Sequence, residues 1–151
     1  ANEIFNDTNG KVDIVVCGIG TGGTISGIGK NLKEKKDILM IGVEPQGSPL
    51  ITTGVAGKHK IQGIGANFIP QTLDLSVIDS VVSVSDEEAM RLSRELARLE
   101  GIFVGISSGA ALAGALNYIE KNKVKDKLIV IVLPDTGERY LSTELVYEWK
   151  R

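Results

Sequence analysis

Apolar runs that alternate with helix-like stretches constrain the fold of this chain more than any other feature. Residues 12–17 are apolar except for Asp13, and residues 128–133 are continuously apolar, a pattern typical of strands buried on both faces of a parallel sheet. Further strands are predicted at residues 38–43, 77–84 and 102–106. Because strands that alternate with helices are joined by right-handed crossovers, we predict an α/β protein with a doubly wound, mostly parallel sheet and helices on both faces.

The helices between these strands carry recognisable end signals. Ser85 and Glu88 have the spacing of a capping box at a helix start, and Gly101 stands where a helix commonly ends. The N-terminal segment is polar and has no obvious element. Helices are predicted at residues 23–36, 85–100, 109–121 and 143–149.

The long segment at residues 46–76 is rich in Gly, Pro and Thr and has only weak patterning. A loop of this length in a compact domain is usually functional or disordered.

The chain of 151 residues has a net charge of −2, so its composition favours neither a nucleic-acid partner nor a membrane partner. One cysteine and one histidine cannot form a usual zinc site, and a single cysteine favours the reducing cytoplasm. Because the chain begins without Met, we interpret it as part of a longer protein.

A first glycine-rich turn, at residues 18–24, follows the first strand and precedes a helix. It matches G-x-G-x-x-G, and Glu44 ends the next strand, so a dinucleotide site is one interpretation. The hydroxyls of Thr21 and Thr24 beside four glycines favour a single phosphate instead. A purely structural alternative is that the glycines only permit a tight turn.

A second glycine-rich turn, at residues 105–109, matches the G-x-S-x-G pattern of a hydrolase nucleophile elbow around Ser107. That chemistry needs an acid and then a histidine downstream. Asp135 could be the acid, but His59 lies upstream, so the hydrolase hypothesis fails. Ser107 is then a hydrogen-bond partner for a ligand or only a helix N-cap. We expect His59 to be a solvated loop residue and Cys17 to lie in the core.

Five segments together go beyond generic α/β patterning, and in this order and spacing they resemble the C-terminal half of the cysteine synthase family. Members of this family, also called O-acetylserine sulfhydrylases, are fold-type-II enzymes that use pyridoxal 5′-phosphate. The resemblance runs nearly from end to end. The segments are residues 18–24, 41–45, 61–66, 105–110 and 134–142.

The resemblance implies three sets of site residues. Ser107 resembles the serine that hydrogen-bonds the pyridine nitrogen, with Ser108 in that role if the register differs by one. A neutral hydroxyl there keeps the ring largely unprotonated and favours β-elimination over transamination. The phosphate-binding loop comprises Gly20, Thr21, Gly22, Gly23 and Thr24. The mobile substrate loop comprises Gly63, Ile64, Gly65 and Ala66, followed by Asn67 where the family often has Gly.

The resemblance also implies what this chain lacks. In the family, the lysine that binds pyridoxal phosphate covalently and the loop that holds the substrate carboxylate lie in the first half. Neither pattern occurs here, so residues 1–151 are interpreted as one cofactor-binding lobe with no catalytic residue, inactive alone. The family reaction converts O-acetyl-L-serine and sulfide into L-cysteine and acetate. Implied partners are the protein's own N-terminal half, a second copy in a homodimer and the C-terminus of serine acetyltransferase.

Other hypotheses remain open from the sequence. Cystathionine β-synthase and O-phosphoserine sulfhydrylase share the superfamily, and the missing half mostly sets substrate choice. A non-catalytic domain that binds a nucleotide or phosphate belongs to a different class. An isolated lobe could also fold poorly and associate through an exposed sheet edge or apolar face.

Overall fold

A four-stranded sheet forms the centre of the protein. The computed structural model describes residues 1–147. All four strands run parallel in the spatial order β3-β2-β1-β4, and helices cover both faces, so the predicted α/β class is confirmed. The strands are β1 at Ile14–Gly18, β2 at Leu39–Pro45, β3 at Ser80–Val84 and β4 at Ile129–Ile131.

Six α-helices accompany the sheet in the described residues, with 3₁₀ turns at Leu75–Val77 and Gly137–Tyr140. The predicted C-terminal helix is present, but its predicted end lies outside the described residues. Within residues 1–147, no helix is both long and apolar enough to cross a membrane. The helices are α1 at Asn2–Asp7, α2 at Gly23–Lys33, α3 at Leu50–Thr53, α4 at Asp86–Glu100, α5 at Ile106–Asn122 and α6 at Glu144–Tyr147.

The core is divided by the sheet into two apolar clusters. Successive side chains of a strand point to opposite faces. Ile14 and Val16 therefore pack with residues of α4 and α5, whereas Val15 and Cys17 pack with residues of α2 on the other side. All four side chains are at most 2% exposed, which explains why β1 is a continuous apolar run.

Small residues let α5 approach its neighbours closely. A Cβ atom on Gly114 would lie 2.4 Å from Cγ2 of Val43 in β2. A Cβ atom on Gly109 would lie 2.0 Å from the carbonyl oxygen of Ala89 in α4. Each contact is too short for a side chain, so α5 can sit against both the sheet and α4 only because these residues are glycines.

Several predicted boundaries are wrong. The predicted strand at residues 102–106 is reduced to one antiparallel bridge between Val104 and Thr136, and Ile106 already begins α5. Helix α2 ends at Lys33 rather than at residue 36. The N-terminal segment, in which no element is predicted, contains α1, where Phe5 packs against the apolar cluster and lies beneath Nζ of Lys35.

Candidate functional site

The first glycine turn ends in a helix start that has no side-chain cap. Gly22 is the N-cap of α2 with φ of 82°, a left-handed conformation that favours glycine, and it has no side chain to accept from the first amides. The other two long helices differ. Oγ of Ser85 accepts a hydrogen bond from the amide of Glu88 in α4, and Asp135 accepts one from the amide of Ser108 in α5. In the described part of the chain, α2 is thus the long helix whose N-terminus remains open to an external anion.

Both threonines of the first turn are exposed, and no described residue accepts a hydrogen bond from either hydroxyl. The carbonyl of Thr21 is held by Oγ1 of Thr72 at 2.5 Å, which fixes the turn from outside. An open hollow of about 720 Å³ lies beside this turn, bordered by Thr21, Gly23 and residues 68–72. The predicted phosphate-binding loop therefore combines free amides, free hydroxyls and space for a ligand.

The predicted substrate loop lies directly against this turn. A Cβ atom on Gly20 would stand 2.5 Å from the carbonyl oxygen of Gly63, so this approach requires a glycine at position 20. The amide of Gly65 donates to the carbonyl of Ile19 at 3.0 Å. Two loops that are far apart in the sequence thus meet at the carboxyl edge of the sheet, where ligands bind in open α/β sheets.

His59 fixes the other side of the substrate loop, and the expectation of a solvated histidine is wrong. Its Nε2 lies 3.1 Å from the carbonyl oxygen of Gly65, and its Nδ1 is buried with no hydrogen-bond partner in the described residues. A Cβ atom on Gly65 would lie 2.6 Å from both Nε2 of His59 and Cγ of Pro45. The sequence signal was weak, because only the fold brings His59 back onto Gly65.

The second glycine turn presents two serines in different surroundings. Ser107 is 3% exposed, and no described residue hydrogen-bonds its hydroxyl. A Cβ atom on Gly63 would lie 3.7 Å from Oγ of Ser107, so the substrate loop passes next to this hydroxyl as well. Ser108 is fully buried and its hydroxyl contacts the Asp135 carboxylate. The substrate loop therefore lies between the two glycine turns at the carboxyl edge of the sheet, with Gly63 next to both Gly20 and Ser107.

The structure corrects one expectation for the second turn and supports another. Ser107 is not an N-cap, because Gly105 occupies that position and Ser107 lies inside the first turn of α5. The rejection of hydrolase chemistry is supported by the geometry. Asp135 contacts Ser108 rather than Ser107, and His59 bonds the substrate loop instead of a serine.

Glu44, the acidic residue that suggested a dinucleotide site, is committed to the fold. It is 2% exposed, and its carboxylate accepts hydrogen bonds from the amide of Ile51 at 2.8 Å and from Oγ1 of Thr52 at 2.5 Å. The amide of Thr52 and the hydroxyl of Ser83 also donate to it, each at 3.3 Å. The carboxylate holds the start of α3 to the sheet, so Glu44 does not support the dinucleotide interpretation.

Two buried groups near the site have raised pKa values. Burial raises the pKa of the Cys17 thiol to about 12, consistent with the predicted core position. Burial, followed by the hydrogen bond to Asp135, raises the pKa of the Tyr140 phenol to about 12. Both groups therefore stay neutral at physiological pH. The importance of Asp135 and Tyr140 to the second turn is not visible in the sequence.

Comparison with known proteins agrees with this architecture. Residues 1–135 match the model of a family described as pyridoxal-phosphate dependent enzyme. This match covers most of the chain, and the chain belongs to that family. Within it, the chain is cysteine synthase-like and corresponds to part of such an enzyme.

Individual relatives support this assignment. Cysteine synthase of Buchnera aphidicola subsp. Acyrthosiphon pisum is 54% identical, over 97% of this chain and 49% of its own length. A crystal structure of cysteine synthase from Entamoeba histolytica superposes with a TM-score of 0.93 at 44% identity, covering 97% of this chain and 44% of that one. A hydrogen sulfide-producing enzyme from Fusobacterium nucleatum has a TM-score of 0.89 at 45% identity, covering 93% and 48%. The chain spans about half the length of the curated relatives it matches.

Proposed function

We propose that this chain is the cofactor-binding lobe of a cysteine synthase and that it holds pyridoxal 5′-phosphate between its two glycine turns. The observation that carries the proposal is the uncapped start of α2, where the first amides and the exposed hydroxyls of Thr21 and Thr24 have no partner in the described residues. Thr21 and Gly23 also border the open hollow. A phosphate dianion satisfies such a set better than a neutral ligand does. The residues fit the cofactor at the other turn too, because the Ser107 hydroxyl is nearly buried and has no partner in the described residues.

Each part of the site then has a separate task. Gly20, Gly22 and Gly23 let the backbone approach the phosphate, and Thr21 and Thr24 donate their hydroxyls to it. Ser107 donates its hydroxyl to the ring nitrogen. When bound, pyridoxal phosphate supplies the electron sink for β-replacement. Gly63, Ile64, Gly65 and Ala66 form the loop that closes over the substrate and excludes water.

The complete enzyme is proposed to make L-cysteine from O-acetyl-L-serine and sulfide, with acetate as the leaving group. The proton transfers need a lysine that we assign to the protein's own N-terminal half, so the isolated chain should have no sulfhydrylase activity. The complete enzyme is proposed to be a homodimer that also binds the C-terminus of serine acetyltransferase. Turnover by the isolated chain would contradict this division of roles.

Binding can be tested without the lysine. Pyridoxine 5′-phosphate has the ring and phosphate but no aldehyde, so isothermal titration calorimetry measures non-covalent binding only. Thr21→Val and Thr24→Val should each weaken binding about tenfold, because each removes a hydrogen bond to a charged group. Thr53→Val is the control, since Thr53 is exposed on α3 and bonds only the carbonyl of Pro49. Tight binding of NAD with no response to pyridoxine phosphate would favour a nucleotide-binding domain instead.

Substrate choice is tested on the complete enzyme. O-acetylserine, O-phosphoserine and serine with homocysteine should be compared by kcat/KM. We expect O-acetylserine with sulfide to be preferred. A preference for phosphoserine would indicate an O-phosphoserine sulfhydrylase, and a preference for homocysteine as the acceptor would indicate a cystathionine β-synthase.

A further inference from the structure

Asp135 connects three segments at the start of α5. Its Oδ1 accepts a hydrogen bond from the amide of Ser108 at 3.1 Å and contacts the hydroxyl of the same residue. Its Oδ2 accepts the Tyr140 hydroxyl at 2.7 Å. Its carbonyl accepts the amide of Gly105 at 3.1 Å. Asp135 therefore caps the first turn of α5 and hydrogen-bonds the Ser108 hydroxyl. Through Tyr140 it also connects this turn to the 3₁₀ turn at Gly137–Tyr140.

The space around this carboxylate is filled. A Cβ atom on Gly105 would lie 2.0 Å from Oδ2 of Asp135 and 2.4 Å from Cε2 of Tyr140. The Tyr140 side chain is only 5% exposed and belongs to the apolar cluster under α4 and α5. The carboxylate consequently has little room to move away from the helix start.

Fixing one serine determines the direction of the other. Successive residues of an α-helix are rotated by about 100°, so their side chains point in different directions. With Ser108 held against Asp135, the Ser107 hydroxyl points elsewhere, next to Gly63 of the substrate loop. It is also the hydroxyl of this pair that has no hydrogen-bond partner within residues 1–147.

We propose that Asp135 is a positioning residue that selects Ser107, rather than Ser108, as the hydroxyl facing the ring nitrogen of the cofactor. It does so by accepting hydrogen bonds from the amide and the hydroxyl of Ser108, which fixes the first turn of α5. Asp135 does not itself contact the cofactor. This inference rests on the proposed function, because it assumes that the ring nitrogen lies beside the second glycine turn.

The test compares pyridoxine 5′-phosphate with its 1-deaza analogue, in which a carbon replaces the ring nitrogen. Both ligands bind non-covalently, and the ratio of their dissociation constants isolates the hydrogen bond to nitrogen. The wild-type protein should prefer the nitrogen-containing ligand about fivefold to tenfold, the range for one hydrogen bond. Ser107→Ala should abolish this preference, and Asp135→Asn, which keeps the side-chain shape, should reduce it to about twofold or less. Tyr140→Phe should give an intermediate loss.

A matched control removes a cap from a different helix. Ser85→Ala should lower stability by removing the cap of α4 but should leave the ratio at its wild-type value, because Ser85 lies outside the second turn. Near-UV circular dichroism confirms that each variant is folded before titration.

The outcomes separate the two proposals. If Ser107→Ala abolishes the preference while Asp135→Asn retains it, the role of Asp135 is overturned and the proposed function stands. If Asp135→Asn weakens both ligands equally, its role is structural only, which also overturns the inference. If the wild-type protein binds neither ligand or shows no preference between them, the proposed contact at Ser107 and the role of Asp135 both fail.

Discussion

At the residue scale, Glu44 shows how a buried charge can belong to the fold rather than to a ligand site. Three residues donate hydrogen bonds to its carboxylate, two of them from the start of α3. A carboxylate this deeply buried is tolerated only because its oxygens are satisfied in this way. The position of Glu44 in the sequence, at the end of the second strand, is equally compatible with a ligand contact and with a structural role.

We predict that Glu44→Gln lowers the free energy of unfolding by about 1–3 kcal/mol. Glutamine has one acceptor oxygen instead of two, so at least one buried donor loses its partner. Urea denaturation measures the change, and Glu120→Gln, at an exposed position on α5, is the control with no expected effect. Equal stability of the two variants would show that the carboxylate contributes nothing to the fold.

The residue scale is also where prediction from sequence was least complete. The glycines and threonines of the first turn are adjacent in the sequence, so the shared role that we propose for them, as a phosphate loop, could be predicted from their spacing. His59 and Gly65, or Asp135 and Ser108, meet only after folding. No local pattern marks such pairs, because the contact depends on where the sheet brings two loops together.

At the element scale, the long helices were predicted well because their signals are local. Helix α4 begins after Ser85, which caps the amide of Glu88, and ends at Gly101 with φ of 72°. Glu88 does not complete the reciprocal half of the capping box, since its carboxylate accepts instead from the Asn117 amide on α5. The bridge between Val104 and Thr136 was mistaken for a strand because an apolar run alone does not reveal its partner.

We predict that Ser85→Ala lowers the free energy of unfolding by about 1 kcal/mol, the usual value of an N-cap hydrogen bond. The midpoint of urea denaturation should fall while its m-value stays unchanged. Ser142→Ala is the control, because Ser142 is exposed outside any helix. An unchanged midpoint would mean that the acidic first turn of α4 is sufficient without the serine.

At the scale of the whole molecule, the pattern of burial makes stability depend on alkaline pH. The pKa of Tyr140 is raised from 10.0 to about 12, so the folded protein keeps a phenolic proton that the unfolded chain loses near pH 10. Ionisation then stabilises the unfolded state alone. The contribution of Tyr140 to stability is complete below pH 10 and is lost as the pH rises toward 12.

We therefore predict that the free energy of unfolding falls between pH 9 and 12, and that Tyr140→Phe makes this fall less steep. The slope is not abolished, because the pKa of Cys17 is raised in the same direction, from 9.0 to about 12. Urea denaturation at several pH values measures the slope. The control is Tyr147→Phe, at an exposed tyrosine, which should leave the slope unchanged. A Tyr140→Phe slope equal to that of the wild type would contradict the raised pKa of Tyr140 in the folded protein.

The burial of Cys17 has a practical consequence for spectroscopy. It is the only cysteine in the sequence, it lies in a strand covered on both faces, and its side chain is 1% exposed. The thiol of Cys17 in this folded chain is therefore not accessible to a maleimide dye or a nitroxide spin label. A single cysteine introduced next to the predicted substrate loop, for example at the exposed position Asn67→Cys, can be labelled selectively in this chain with Cys17 left in place, and the predicted movement of the loop can then be tested directly.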